Sequence, residues 1–305
     1  MIVSASRRAD IPAHYAQWFV NRAAAGWCAV PNPFNARQVS RISLAPQDVD
    51  AVVFWTRDPR PMIAHLPWLD GLRLRSVFQF TLVEYPPALH PGMPALGERL
   101  DAFRRLAEAI GPERVLWRYD PIVLSSRFGP DYHRKNVEML SKALDGYTRR
   151  MTVSLVEPYR KIRKRLDQAG VDPLAPAESH LAGMFTDMAA MARSRGMEPQ
   201  SCADEAGLHH FGFSPGACVD GELLRRLFGV TSEKNKDPHQ RSACLCAPSK
   251  DIGMYDACPA GCAYCYATQN FERARRNFAA HDPLSDSLLG EAPCPNVSGE
   301  RKNKQ

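Results

Sequence analysis

The sequence predicts an α/β fold, a TIM-barrel-like partial (β/α)6 barrel with a loop-rich C-terminal segment, and three observations predict it. Short β-branched or aromatic runs alternate with amphipathic helical patterns over residues 1–200. Six such runs read as strands, and the end of each is polar. The strands are expected over 2–6, 51–56, 76–82, 114–119, 151–156 and 198–203. After the first, Pro12 opens a helix that carries Tyr15, Trp18 and Phe19 on one face and ends at Gly26. From Trp27 to Asp50 the pattern breaks, and Cys28-Ala-Val-Pro-Asn-Pro-Phe-Asn35 followed by Val39-Ser-Arg-Ile-Ser-Leu44 reads as an excursion in the form of a hairpin.

Leu96, Leu100, Phe103, Ala107 and Ile110 recur at helical spacing until Gly111-Pro112 stops them. A helix starting near Asp131 carries Val137, Leu140 and Leu144, and another carries Leu181, Phe185, Met188 and Ala192 before Gly196. A short helix is expected over 222–228. The domain reading is a barrel over 1–230, a cysteine-rich cluster-binding segment packed on it over 231–290, and a flexible basic tail over 291–305.

With 305 residues, 45% hydrophobic and 24% charged, the chain can bury roughly three quarters of its unfolded surface. Its nine cysteines are therefore not needed as staples. The net charge of +6 is mild and partly sits in the tail, at Arg301, Lys302 and Lys304. No stretch reaches the about 18 to 20 apolar residues of a membrane span, and the N-terminus lacks the apolar core of a secretory signal. The expected setting is cytoplasmic, where clustered cysteines point to metal or redox chemistry.

In a parallel barrel the chemistry gathers at the carboxyl ends of the strands. Those ends supply the pocket candidates: Arg7, Arg8 and Asp10; Thr56 and Arg57; Gln79; Arg118 and Asp120; Ser154 and Glu157; and Glu205. The arginine forks match a carboxylate or phosphate. Trp55 and Trp117 either line that pocket or pack the barrel. Cys28, beside Trp27, reads as core and Cys294 as incidental. His209, His210 and His281 read as structural or surface residues, since adjacent histidines point apart on a regular element.

Eight of the nine cysteines lie between Cys202 and Cys294. The tightest group is Cys258-Pro-Ala-Gly-Cys262-Ala-Tyr264-Cys265. Zinc sites usually take two close doublets, whereas three closely spaced thiolates suit a 4Fe-4S cluster. Cys244 and Cys246, with Cys202 and Cys218, make four more thiolates, candidates for a second metal site holding another 4Fe-4S cluster or a tetrahedral zinc.

The spacing CxxxCxxC with an aromatic residue before the last cysteine resembles the signature of the radical S-adenosylmethionine superfamily, and six βα units resemble its partial barrel. More closely, Ser4-Ala-Ser-Arg-Arg-Ala-Asp-Ile-Pro12, Asn32-Pro-Phe-Asn35, Phe54-Trp-Thr56, Trp117-Arg-Tyr-Asp-Pro121, Ser249-Lys-Asp-Ile-Gly253 and the cysteine triplet resemble an uncharacterised bacterial domain-of-unknown-function family. That family carries a radical-SAM-like cysteine cluster at its C-terminal end, and the resemblance runs from Met1 to about Gly290.

The resemblance implies that Cys258, Cys262 and Cys265 bind the irons of a 4Fe-4S cluster and that Tyr264 packs near the adenine of S-adenosylmethionine. It also implies an electron donor, a reductase or a flavodoxin- or ferredoxin-type protein, and hydrogen abstraction from a substrate. In the superfamily the triplet follows the first strand. Here it follows the sixth, so either the fold is circularly permuted or the C-terminal segment folds back over the barrel mouth. No Gly-Gly-Glu-like segment follows the second strand. The alternative is a metal-stabilised nucleic-acid-binding or nucleic-acid-repair protein without radical chemistry, using Arg7, Arg8, Arg57 and Arg118 with the basic tail.

Overall fold

A computed structural model describes residues 1–157, 159–172, 178–203, 207–230 and 236–290. Asp204, Glu205 and the tail with Cys294 lie outside the described residues. The chain runs β1 (Ile2–Ala5), α1 (Ile11–His14), α2 (Ala16–Ala25), β2 (Trp27–Asn32), β3 (Asn35–Ser43), β4 (Ala51–Thr56), α3 (Arg60–Ile63), α4 (Leu66–Gly71) and β5 (Ser76–Thr81). It continues through α5 (Leu96–Ile110), β6 (Val115–Ile122), α6 (Pro130–Ala143), β7 (Arg150–Leu155), α7 (Arg160–Gln168), α8 (Glu178–Ser194) and β8 (Glu198–Cys202). A 3-10 turn (Leu208–Phe211), β9 (Ser214–Gly216), α9 (Gly221–Phe228), β10 (Lys250–Asp251) and α10 (Phe271–Ala279) complete it.

Eight strands form one sheet in the order β10-β1-β4-β5-β6-β7-β8-β9, and every neighbouring pair is parallel. All six expected strands are present. The sheet gains β9 and β10, which are too short and polar to carry a periodic signal. The excursion is the antiparallel hairpin β2–β3, as expected. The helix expected from Pro12 to Gly26 is split at Tyr15, which caps α1 and starts α2.

From β1 to β9 spatial order follows chain order, so each connection steps in the same direction and a consistent right-handed crossover puts the helices on one face. Strand alternation then gives two apolar layers. Val3, Val52, Phe54, Phe78, Phe80, Val115, Trp117 and Val153 pack with Trp18 and Phe19 of α2, Phe103 and Leu106 of α5, Leu140 of α6 and Met188 of α8. Ile2, Ala51, Val53, Val77 and Leu116 point the other way, onto Cys218, Val219, Leu223, Leu224, Cys244, Cys246 and Ala247. The second face of the sheet is thus filled by the returning C-terminal part of the chain.

The final βα unit, β10 and α10, sits at the sheet edge beside β1. Val3 pairs with Lys250 and Ser4 with Asp251. The Asp251 carboxylate accepts from Ser4 Oγ at 2.6 Å and from the Arg7 amide at 2.9 Å, and its other oxygen accepts from the Gly253 amide at 3.0 Å. Hydrogen bonds to an ionised group contribute about 1.5–3 kcal/mol each. Gly253 has to be glycine, because a Cβ there would lie 1.8 Å from Ser6 Oγ. Tyr15 donates to the Ala257 carbonyl at 2.6 Å, and Trp18 to that of Ser285 at 2.9 Å, which fastens the rest of the unit to α2. Among the described residues no helix is long and apolar enough to cross a membrane.

His133 of α6 is fully buried. Its Nε2 lies 3.2 Å from the Val123 carbonyl, which can only accept, so Nε2 carries a proton; in the neutral ring that burial favours, Nδ1 then accepts from Tyr119 Oη at 2.8 Å. Burial lowers its pKa from 6.5 to about 4. Between those values the unfolded chain binds more protons than the folded one, so stability falls as pH drops through the window. The shift corresponds to about 3 kcal/mol lost by pH 4. Urea denaturation at pH 7.5 and pH 4.5, repeated on His133→Gln, should show a markedly smaller acid loss in the variant. Equal losses would show that His133 does not set the acid limit.

Candidate functional site

At the carboxyl ends of the strands the chain encloses a cavity of about 520 Å³. Its wall takes Arg7, Arg8 and Asp10 from the turn after β1, Thr56 and Arg57 from the end of β4, Arg118 and Asp120 from β6, and Ser154 and Glu157 from β7 and its loop. Cys202 of β8, Cys218, Cys244, Cys246, Cys262, Cys265 and Tyr264 complete it. The second cysteine group therefore meets two of the triplet, Cys262 and Cys265, at one cavity, while Cys258 lies behind its wall. A wider groove of about 1170 Å³ runs past the hairpin tip and β10 and contains no cysteine.

Cys258, Cys262 and Cys265 lie on the loop between β10 and α10. Gly261 supplies its positive φ of 72°. The Ala263 amide donates to the Leu89 carbonyl at 3.0 Å, and the Cys265 amide to that of Cys262 at 3.0 Å. Arg165 of α7 holds the far side, donating to the carbonyls of Cys265 at 2.9 Å and Thr268 at 2.7 Å. Burial, then Asp10, then the two companion thiols push Cys258 above the usual thiol range. Burial also raises Cys262, and Arg57 acts against it. The three sulfurs thus lie near enough to feel one another, and the Arg57 guanidinium stands beside Cys262.

Asp10 is a structural pivot of this wall. It caps α1 through the Ala13 amide at 3.0 Å and accepts from the Arg57 amide at 2.8 Å, and burial raises its pKa. The Thr56 side chain reaches Asp10 and accepts from the Asp58 amide at 3.0 Å. Arg57 lies 5.3 Å from the Tyr264 ring centre and 3.2 Å from His90 Nε2. Tyr264 packs edge-on to His90 and Tyr85. Its hydroxyl and His90 Nδ1 are buried without hydrogen-bond partners. Three thiols on one loop, one of them beside a guanidinium, are the residue type that can ligate the irons of a cluster.

The second cysteine group forms a chain of contacts. Cys202 Sγ is 3.2 Å from Cys218 Sγ, and Cys246 hydrogen-bonds with both Cys218 and Cys244. The Val219 amide donates to Cys246 Sγ at 3.4 Å, and Arg118 Nη1 to Cys218 Sγ at 2.7 Å. The hydrogen bond with Cys246 is the main cause lowering the Cys244 thiol to about 7, while the one with Cys218 is the main cause raising Cys202. Among the described residues, no three His, Cys, Asp or Glu side chains already converge as the ligands of a metal ion would.

Several expectations change in detail. Gln79 faces the correct side of the sheet but lies deeper than the cavity, donating to the Cys218 carbonyl at 2.7 Å; Thr81, two residues on, lines the wall instead. Glu157 is paired with Arg241, and Ser154 donates to Asp120. Trp55 lies under Arg7 in the cavity wall, with 5.1 Å from guanidinium to ring centre, whereas Trp117 faces the helices and donates to the Leu82 carbonyl at 2.9 Å. Cys28 is fully buried in the helix-side core, and His281 packs on Tyr15. Tyr255, Tyr266 and Arg241 line the cavity unforeseen. Tyr266 directly follows the triplet and donates to the Arg7 carbonyl at 2.6 Å, so its place in the motif was the available signal.

Arg118 is 7% exposed at its side chain and pairs with Asp120 at 2.6 Å. Removing one partner of a buried pair strands the other, which costs about 3 kcal/mol. Arg118→Met should lose that much in urea denaturation, and adding Asp120→Asn should recover part of it. An additive double variant would show that the pair is not coupled.

The family model described as a domain of unknown function, DUF1848, matches residues 2–267. No curated protein matches the chain. Among solved structures, the complete multifunctional pyruvate carboxylase from Rhizobium etli is similar at 13% identity over 75% of this chain, with a TM-score of 0.25, which carries no argument about fold or activity. The match spans 27% of that carboxylase chain. The chain belongs to the DUF1848 domain family.

Proposed function

We propose that this chain is an iron-sulfur enzyme of the radical S-adenosylmethionine type, with a 4Fe-4S cluster held by Cys258, Cys262 and Cys265 and a reaction cavity at the strand ends of a partial barrel. The observation that carries the reading is that Cys262 and Cys265 line the same cavity as the strand-end arginines. The sheet order supports it too. The triplet follows β10, which is last in the chain but lies at the β1 edge of the spatial series β10-β1-β4-β5-β6-β7-β8-β9. A circularly permuted barrel has this arrangement.

A cluster held by Cys258, Cys262 and Cys265 would supply one electron, drawn from a flavodoxin- or ferredoxin-type donor, for reductive cleavage of S-adenosylmethionine and hydrogen abstraction from substrate. The chain's own residues shape the setting. Arg57 provides positive charge beside Cys262 and holds the Tyr264 ring, Asp10 fixes the turn that presents Arg57, and Arg8 presents a further cation to the cavity over Tyr255. Such a cluster and donor imply a reducing, cytoplasmic setting.

Anaerobic reconstitution with iron and sulfide should give about four irons per chain, a reducible paramagnetic signal and formation of 5′-deoxyadenosine from S-adenosylmethionine under a strong reductant. Cys262→Ala should abolish the signal and the nucleoside product while leaving far-ultraviolet circular dichroism unchanged. Full iron content in Cys262→Ala would remove the triplet as the ligand set. A reducible cluster that never yields 5′-deoxyadenosine would overturn the reaction.

A further inference from the structure

We propose that Cys202, Cys218, Cys244 and Cys246 form a second, mononuclear metal site, a tetrathiolate centre for zinc, in the same cavity as the triplet. This goes beyond the radical reading and does not depend on it.

Sulfur spacing selects the kind of centre. Four thiolates at about 2.3 Å from one tetrahedral zinc lie about 3.8 Å from one another. Thiolates on a cubane sit on different irons and are spread well beyond mutual contact. Here Cys202 and Cys218 are 3.2 Å apart, and Cys246 is in hydrogen-bond contact with Cys218 and Cys244. The four thiols are already a contact chain, 202–218–246–244, and its two ends, Cys202 and Cys244, are near enough to interact electrostatically. The 3.2 Å separation is also well outside the about 2.05 Å of a disulfide.

Charge selects the same centre. Four thiolates and one zinc ion leave a net charge of −2, which needs compensation in a site shielded from water. Two guanidinium groups face it. Arg118 Nη1 donates to Cys218 Sγ at 2.7 Å, and Arg7 lies against Cys246. Arg7 Nη2 is nevertheless buried without a well-formed hydrogen bond, a donor awaiting a stronger acceptor than a neutral thiol. Asp120 orients Arg118, and the Val219 amide donates to Cys246 Sγ, which is the outer support that ligating groups require.

The local fold makes the site rigid. Cys218, Cys244 and Cys246 belong to the apolar layer with Val219, Leu223 and Leu224 that covers the inner face of the sheet. The Ala247 amide donates to the Val219 carbonyl at 2.9 Å, and Gln79 ties the Cys218 carbonyl to β5. Cys202 comes from the end of β8, so the metal would join the last long strand to the loop that carries Cys244 and Cys246.

Elemental analysis of the full chain purified with zinc in the medium tests the proposal. Wild type and Cys262→Ser should each hold about one zinc per chain, and Cys218→Ser and Cys244→Ser should lose it. Cys244→His should keep it, because imidazole also ligates zinc, and this arm decides the matter if the serine variants fail to fold. Cobalt in place of zinc should give the visible absorption of a tetrahedral thiolate site in wild type, with one thiolate fewer in Cys244→His. Three results would overturn the proposal: zinc that disappears in Cys262→Ser but persists in Cys244→Ser, iron and sulfide that fall together in Cys244→Ser, or a Cys202–Cys218 disulfide in protein that holds no metal. Because the iron and zinc readouts respond to different cysteines, failure at this site and failure of the triplet reading are separable.

Discussion

Everything at the cavity depends on one carboxylate. Asp251 collects the Ser4 hydroxyl and the amides of Arg7 and Gly253, and in doing so joins the last βα unit to the first strand of the chain. The charge-assisted bonds work over short distances because Gly253, having no side chain, leaves room for the Ser6 side chain that a Cβ would strike. This contact fixes β10 in register with β1 and aims the following loop, with its three cysteines, at the carboxyl ends of the parallel strands. Arg7 and Arg8 lie on the turn that Asp251 holds and line the same cavity, so one clasp positions both the loop that carries the thiols and two cations of the wall.

A parallel sheet wound in one direction leaves one face without helices, and that face has to be covered. The chain covers it with residues from 217–230 and 244–247, and the covering layer is where Cys218, Cys244 and Cys246 lie. Polar groups on the inner face follow from the same geometry. Gln79, Arg118 and Ser154 alternate with the helix-facing apolar residues, and the first two meet the incoming segment while Ser154 meets its neighbouring strand. Their partners are the Cys218 carbonyl, the Cys218 sulfur and Asp120. Fold and site are therefore the same construction seen from two sides, since the segment that seals the sheet also supplies the ligand-type side chains.

The parts legible in the sequence are those with local physical causes. Runs such as Val52-Val53-Phe54 and Phe78-Gln79-Phe80 announce strands because burial on both faces requires nearly continuous apolar residues. The spacing from Cys258 to Cys265 announces a ligand group because short loops bring such residues together without help. By contrast, Ser214-Pro-Gly216 and Lys250-Asp251 are strands only because a neighbour offers a ladder, so no periodic pattern marks them. Alternation places Gln79 on the inner face but not its depth along the strand, which is why Thr81 takes its place at the cavity. The sequence groups Cys202, Cys218, Cys244 and Cys246 as a candidate site, but they come from three separated stretches of chain, and their order of contact appears only once these have packed.

The central claim is that the last βα unit delivers a metal-binding triplet to the strand-end cavity. An anomalous difference map at the iron absorption edge, from crystals of the protein reconstituted and kept under anaerobic conditions, tests it most directly. It should show a compact iron peak in contact with Cys258, Cys262 and Cys265, facing Arg57 across the cavity. Iron located away from these three sulfurs, or none bound in reconstituted crystals, would contradict it.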